Sequence, residues 1–215
     1  MIKLLIFDLD GTLVNAYPAI IQSVNYTLDQ LGLPHRSDTA IKKAVGHGDR
    51  QLMAHFVGEE LSLKALKFYR AHHLKALKTG VSFLPGAKEI LPWAQSEGVR
   101  LAIASNRPTK FTKVILKSLH ADVYFDMVLC ADKASRPKPY PDMLKAICKK
   151  LKVKKAQCIY IGDMTIDIQC GVSAGIKTIA VATGSNTKNE LKESSPYKII
   201  NYISQLKQLF KEGEL

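Results

Sequence analysis

The stretch Ile6-Phe7-Asp8-Leu9-Asp10-Gly11-Thr12-Leu13 decides how the rest of the chain is read. Strand-forming residues (Ile2, Leu4, Leu5, Ile6 and Phe7) run into two carboxylates at i and i+2, and glycine follows at once. Side chains alternate along a strand, so the two aspartates point to the same side. Two carboxylates delivered together to the end of a buried strand repel each other. Such a pair calls for a cation or for unequal protonation. Gly11 lets the backbone turn sharply and approach a ligand. The same string also reads as a strand-end turn in which one aspartate caps the next helix.

Three further strings share this placement. Ala104-Ser105-Asn106-Arg107-Pro108 follows the apolar run Leu101-Ala102-Ile103. There a hydroxyl and the backbone N–H groups beyond it can donate to a phosphate-like oxygen, or can cap the following helix. Arg136-Pro137-Lys138-Pro139-Tyr140-Pro141 carries prolines at alternate positions. They stiffen the backbone and delay helix formation until Pro141, which suits a positioned lysine charge. Ile159-Tyr160-Ile161-Gly162-Asp163-Met164-Thr165-Ile166-Asp167 is an apolar strand, a glycine, then carboxylates four apart entering a helix. If that turn is helical the two acids share a face. Hard carboxylate oxygens with few nitrogen or sulfur neighbours suit Mg²⁺; an N-cap role for Asp163 is the alternative.

Around these strings, short apolar strands alternate with amphipathic helices. Strands are expected near residues 3–8, 100–104, 127–130, 158–161 and 178–181. Helices are expected near 86–95, 110–119, 141–151 and 166–174, with a last one near 201–212. This alternation predicts a parallel sheet with helices on both faces, whose sites lie beyond the carboxyl ends of the strands. Residues 16–80 break the rhythm and read as three or four helices, near 17–31, 38–45, 50–57 and 61–77. Gly32-Leu33-Pro34 and Gly46-His47-Gly48 punctuate them. The expected division is a core of residues 1–15 and 81–215 and a helical cap of residues 16–80, hinged near Asn15 and residues 81–85.

Bulk properties set the outer limits. A chain of 215 residues, 47% of them hydrophobic, can bury a core, and no apolar run reaches the roughly 18 residues of a membrane span. The N-terminus opens on a core strand and does not read as a secretory signal. Cys130, Cys148, Cys158 and Cys170 are widely spaced, which suggests buried thiols in a reducing compartment, with the cytoplasm as the default. The net charge of +12 is concentrated in clusters such as Lys145, Lys149, Lys150, Lys152, Lys154 and Lys155. Leu144, Ile147 and Leu151 fall between these lysines, the pattern of the wet face of a helix. The aromatic interleaving of a single-strand nucleic-acid binder is missing, so neither nucleic acid nor membrane is expected as a partner. A positive field would steer an anionic substrate.

In order and spacing the DxDGT string, Ser105, Lys138-Pro139 and the GDxxxD string resemble the haloacid dehalogenase superfamily over essentially the whole chain. The resemblance implies an α/β fold, a Rossmann-like parallel sheet with helices on both faces plus an inserted all-helical cap. It also implies roles. Asp8 would be the nucleophile that becomes an aspartyl-phosphate, and Asp10 the general acid and then base. Gly11, Thr12, Ser105 and Asn106 would meet the substrate, with Thr12 and Ser105 holding phosphate oxygens. Lys138 would balance charge. Mg²⁺ would be held by Asp8, Asp163 and the backbone carbonyl of Asp10, with Asp167 as a direct ligand or behind one.

Within the superfamily the layout looks like phosphoglycolate phosphatases and beta-phosphoglucomutases. Val45-Gly46-His47-Gly48-Asp49-Arg50-Gln51-Leu52 resembles the GxGxxxL loop of the former, which makes His47 and Arg50 candidates for a substrate end. Phe83-Leu84-Pro85-Gly86-Ala87, Ala104-Ser105-Asn106-Arg107 and Ala182-Thr183-Gly184 resemble the same group. Asn15, Met164 and Ser185 depart from it, standing where an acid, a serine and a tyrosine are common. His72-His73 lacks metal-ligand spacing and reads as structural or surface. The expectation is a Mg²⁺-dependent phosphatase of a small phosphoester, 2-phosphoglycolate first, as a monomer or homodimer. The alternatives are a phosphomutase, a pyrophosphatase or nucleotidase on the same core, and a catalytically silent binding module.

Overall fold

The computed structural model describes residues 1–215. Six parallel strands form one sheet in the order β5-β4-β1-β6-β7-β8: β1 Leu4–Phe7, β4 Arg100–Ser105, β5 Met127–Cys130, β6 Cys158–Gly162, β7 Lys177–Val181 and β8 Lys198–Ile200. β1 sits at the centre, pairing Leu5 with Leu101 of β4 and with Ile159 of β6. All four of its residues are buried, as expected of a parallel strand covered on both faces. Alternate residues feed two cores. Leu5, Phe7, Leu101, Ile103, Ile159 and Ile161 join the larger one, while Leu4, Ile6, Ala102, Ala104 and Tyr160 join the other.

Helices α4 Ala87–Ser96, α5 Thr109–Ser118, α6 Asp142–Leu151, α7 Thr165–Ala174, α8 Lys188–Glu193 and α9 Leu206–Lys211 complete the α/β layers. In α6, Leu144, Ile147 and Leu151 are buried while Lys145, Lys149 and Lys150 are exposed, an amphipathic helix with its lysines in solvent. The C-terminal helix is shorter than expected, because Ile203–Gln205 forms a tight 3₁₀ turn before α9. β8 and α8 were not anticipated.

Between β1 and β4 lie α1 Tyr17–Gln30, α2 Asp38–Ala44 and α3 Asp49–Ala76, with no strand among them. α3 is one long element broken at Gly58, whose φ of 74° leaves the helical region where two helices were expected. A two-stranded antiparallel ribbon, β2 Val14–Asn15 with β3 Ser82–Phe83, ties the entry and exit of this helical segment together. No helix is long and apolar enough to cross a membrane.

Candidate active site

Parallel strands all end on one side, so the four strings converge there. Asp8 follows β1, Ser105 ends β4, Asp163 follows Gly162 at the end of β6, and Thr183 lies just beyond β7. The Lys138 loop closes the ring. Asp8, Lys138, Asp163 and Asp167 are all buried. The Lys138 ammonium lies 2.8 Å from Asp8 Oδ1 and 2.8 Å from Asp167 Oδ1. Burial opposes the lysine charge, but Asp167 and Asp8 outweigh it and hold the ammonium well above the usual lysine range.

The carboxylates carry the opposite strain. Burial pushes Asp8 up to about 6; Lys138 pulls it down and Asp167 pushes it up again. Burial and then the charges of Asp8 and Asp167 raise Asp163 well above the usual carboxylate range. One lysine is too little charge for three buried acids.

Carboxylate oxygens of Asp8, Asp163 and Asp167 lie within 4.8 Å of one another. Asp163 Oδ1 accepts from Thr12 Oγ1 at 2.8 Å, while its buried Oδ2 has no protein partner. Gly11 and Gly184 press against that carboxylate, and a Cβ at either position would overlap it. Gly11 has a φ of +83°, so its backbone also needs glycine. Thr183 Oγ1 locks this turn by donating to the Gly11 carbonyl at 2.6 Å. An all-oxygen, net-negative cluster with an unpartnered buried oxygen fits a hard divalent cation.

Asp167 is more constrained than expected. Its Oδ1 accepts from Lys138 Nζ and from Tyr160 OH at 2.6 Å, and its Oδ2 accepts from the Met164 backbone N–H at 3.0 Å. Protein donors occupy both oxygens, so the residue chiefly holds Lys138 and the start of α7 in place. Both Asp10 carboxylate oxygens accept from Arg107 and neither belongs to the acid cluster, which leaves the carbonyl oxygen as the group it can offer a metal.

The side chains of Thr12 and Asn106 are engaged within the protein. The single hydroxyl hydrogen of Thr12 goes to Asp163. Asn106 donates to Gly46 O at 2.9 Å and Lys138 O at 3.1 Å, and accepts from the Lys138 N–H at 2.8 Å. Both amide hydrogens are thereby used, clamping the lysine loop and the α2–α3 loop together. Ser105 Oγ accepts from the Arg107 N–H at 3.2 Å, which leaves its own hydrogen to donate.

A cavity of about 50 Å³ opens onto these groups. Asp8, Asp10, Ser105, Arg107 and Lys138 are among its polar lining, and Ile20, Val45, Leu52, Tyr69 and Phe111 among its apolar lining. Gly46, Gly48 and Asp49 of the GxGxxxL loop reach it, whereas His47 and Arg50 do not. Both are exposed on the outer side of the loop, and His47 instead lines a shallow cleft with Lys43, Gln51 and His55. The resemblance to a GxGxxxL loop placed them beside the cavity without giving their direction.

Arg107 stands in the string that follows Leu101-Ala102-Ile103 but receives no role from the sequence. It is 8% exposed, and its Nε and Nη2 lie 2.7 and 2.9 Å from the two Asp10 oxygens. Its Nη1 lies 2.7 Å from His73 Nε2 on α3. Burial, reinforced by Arg107, depresses His73 to about 2. The neutral ring accepts from Arg107 and, in the matching tautomer, donates from Nδ1 to Ser23 Oγ at 3.0 Å. Its position directly after Ser105-Asn106 was the available signal; the partners lie 97 and 34 residues away.

The model of the haloacid dehalogenase-like hydrolase family matches residues 5–181. A phosphoglycolate phosphatase of Pseudomonas savastanoi pv. phaseolicola is 31% identical over 214 residues, 95% of this chain and 78% of that protein. One from Nitrosococcus oceani is 26% identical over 219 residues, 98% of this chain and 97% of its own length. A protein of Dickeya dadantii called probable phosphatase IndB is 31% identical over 213 residues, covering 96% and 92%. Among solved structures, a predicted phosphoglycolate phosphatase from Haemophilus somnus 129pt superposes with a TM-score of 0.93 at 26% identity, covering 97% of this chain and 98% of that one. With the family model spanning most of the chain and the strand-end carboxylates meeting at one lysine, this protein belongs to the haloacid dehalogenase-like hydrolases.

Proposed function

We propose that the chain is a Mg²⁺-dependent phosphatase of a small phosphorylated metabolite, with 2-phosphoglycolate the first candidate, working through an aspartyl-phosphate on Asp8. The observation that carries this reading is the buried Asp8–Lys138 pair at 2.8 Å inside the cluster of three aspartates. Phosphatase relatives, one of them of matching length, support the reaction class. The cavity, only a few water molecules in volume, supports a small leaving group.

Asp8 Oδ2, the oxygen left free by Lys138, attacks phosphorus; the Asp8–phosphorus bond forms as the ester oxygen leaves. Asp10 gives that oxygen its proton. Asp10 then takes a proton from a water whose oxygen attacks phosphorus, freeing Asp8 and releasing inorganic phosphate. The proton taken from water serves the next leaving group, so each turn consumes one ester and one water. Lys138 and Ser105 stabilise the phosphoryl oxygens. Mg²⁺, held by Asp8, Asp163 and the Asp10 carbonyl, would neutralise charge between nucleophile and phosphate. Residues 16–80 act as a cap over the core of residues 1–15 and 81–215, hinged at the β2–β3 ribbon, and exclude water when closed.

Phosphate release across small phosphoesters, pyrophosphate and nucleoside monophosphates, with Mg²⁺ present, tests the reading. Highest kcat/KM on 2-phosphoglycolate supports it. A preference for another monoester removes the substrate and keeps the chemistry, and no release from any of them removes both.

Metal binding should be visible in stability. The folded-state value of Asp8, about 6, lies above its ordinary 3.8. The associated stability is present below about 3.8 and lost as pH rises through about 6. Asp163 shifts in the same direction. The metal-free protein should therefore gain most from Mg²⁺ above that window. At a hundredfold excess over Kd the melting temperature should rise by roughly 5–10 °C near neutral pH, and by much less at pH values of about 5. A pH-independent gain would remove these carboxylates from the metal site.

A further inference from the structure

Among the residues lining the cavity, only Lys138 and Arg107 are cations. Lys138 is committed to Asp8 and Asp167 beside the phosphoryl position. Arg107 reaches from the end of β4 to His73 of α3, between the phosphoryl position and the helical segment, where a leaving group must extend. The cap's own acid near the cavity, Asp49, is already neutralised by a two-point pair with Arg70. Three of the five N–H groups of Arg107 are used, two on Asp10 and one on His73. The fork that grips Asp10 has the geometry that grips any carboxylate.

Grip and chemistry conflict. With both oxygens engaged by the fork, Asp10 must give up at least one of these contacts to turn to an ester oxygen at the nucleophile. The other cation lining the cavity, Lys138, is taken by Asp8 and Asp167, and the buried guanidinium needs an anion in its place before Asp10 can leave. We propose that Arg107 is the specificity residue for an anionic, carboxylate-bearing leaving group, which takes Asp10's place on the guanidinium and frees Asp10 for the reaction. The inference rests on the proposed hydrolysis at Asp8. It adds a selection that the shared phosphoryl site cannot make, because esters lacking the second anion leave Asp10 locked. His73, neutral and wedged between Tyr69 (ring centroids 4.7 Å apart) and Phe111 (5.1 Å), holds the guanidinium still while its partners exchange.

The test compares 2-phosphoglycolate, ethyl phosphate and pyrophosphate in wild type and in Arg107→Gln. The variant should lose about 100-fold in kcat/KM on 2-phosphoglycolate, the loss of one charged two-point contact, and should lose nothing or gain on ethyl phosphate, because Asp10 is no longer locked. Equal losses on the two esters would overturn the proposal and leave the substrate reading standing. If wild type instead favours pyrophosphate and the variant erases that preference, Arg107 keeps its role and the substrate changes. A wild-type preference for ethyl phosphate would remove both.

Should Arg107→Gln fail to fold, binding supplies the second measurement. In the Asp8→Asn background, which cannot turn over, adding Asp10→Asn removes the internal competitor for Arg107. Calorimetry should then show affinity for 2-phosphoglycolate rising by at least about tenfold more than affinity for ethyl phosphate. Equal gains for both ligands would contradict the exchange.

Discussion

Asp8→Asn should lower phosphate release by about 10⁴-fold or more on every substrate while leaving the fold intact. The amide is nearly isosteric with the carboxylate but is a poor nucleophile and cannot become a carboxyl-phosphate. The structural consequence should run the other way. Asp8 is a buried acid whose protonated form is favoured up to about 6, so removing its charge relieves Asp163 and Asp167 near neutral pH. Lys138 keeps Asp167 as a partner at 2.8 Å. The metal-free variant should therefore melt no lower than the metal-free wild type at pH values of about 7.5, and the stability gained from Mg²⁺ should shrink. Residual release within about tenfold of wild type would refute the nucleophile assignment, whatever the melting temperature.

Lys138→Met should damage stability and activity together. Asp8, Asp163 and Asp167 would share a buried site with no protein cation, since Arg107 is paired with Asp10. Breaking a buried ion pair from one side costs about 3–5 kcal/mol, which for a chain of this size lowers the melting temperature by roughly 10 °C. The loss should be smallest at acid pH, where the raised carboxylates hold protons and no longer need the lysine, and should grow as pH rises through about 6. Turnover should fall by about 10²–10³-fold even where the variant is folded, because the phosphoryl charge loses a fixed counter-ion. A variant as stable as wild type above neutral pH would show that the three acids are balanced from elsewhere.

The sequence exposed the site wherever the chemistry is local to a strand end. The DxDG and GDxxxD strings could be placed because an apolar run ending in paired acids and a glycine has few structural uses, and β1 and β6 are nearly fully buried. What stayed hidden depends on long-range pairing. Nothing near Thr12 announces that its hydroxyl serves Asp163, 151 residues on, nor does Asn106 advertise its clamp on Lys138. Tyr160 reads as one more apolar strand residue until its hydroxyl meets Asp167. The short strands β2, β3 and β8, two or three residues each, offer too few positions for alternation to register. His47 and Arg50 show the same limit from the other side: a glycine-framed loop can be located from sequence, but the direction of its side chains is set by the packing of Gly46 against Met164 and Asn106.

The central claim is a phosphoryl group carried by Asp8, and the most direct test is to catch it there. Asp10→Asn should be mixed with acetyl phosphate and Mg²⁺, quenched in acid within seconds, and the peptide containing Asp8 weighed by mass spectrometry. Acetate leaves without needing a proton, so Asp8 can be phosphorylated; without Asp10 as a base, water attacks slowly and the intermediate accumulates. The account predicts a gain of one phosphoryl group on Asp8, absent when Asp8 is also changed to asparagine. Phosphate release by wild type, with Asp8 unmodified in the quenched Asp10→Asn protein, would contradict it.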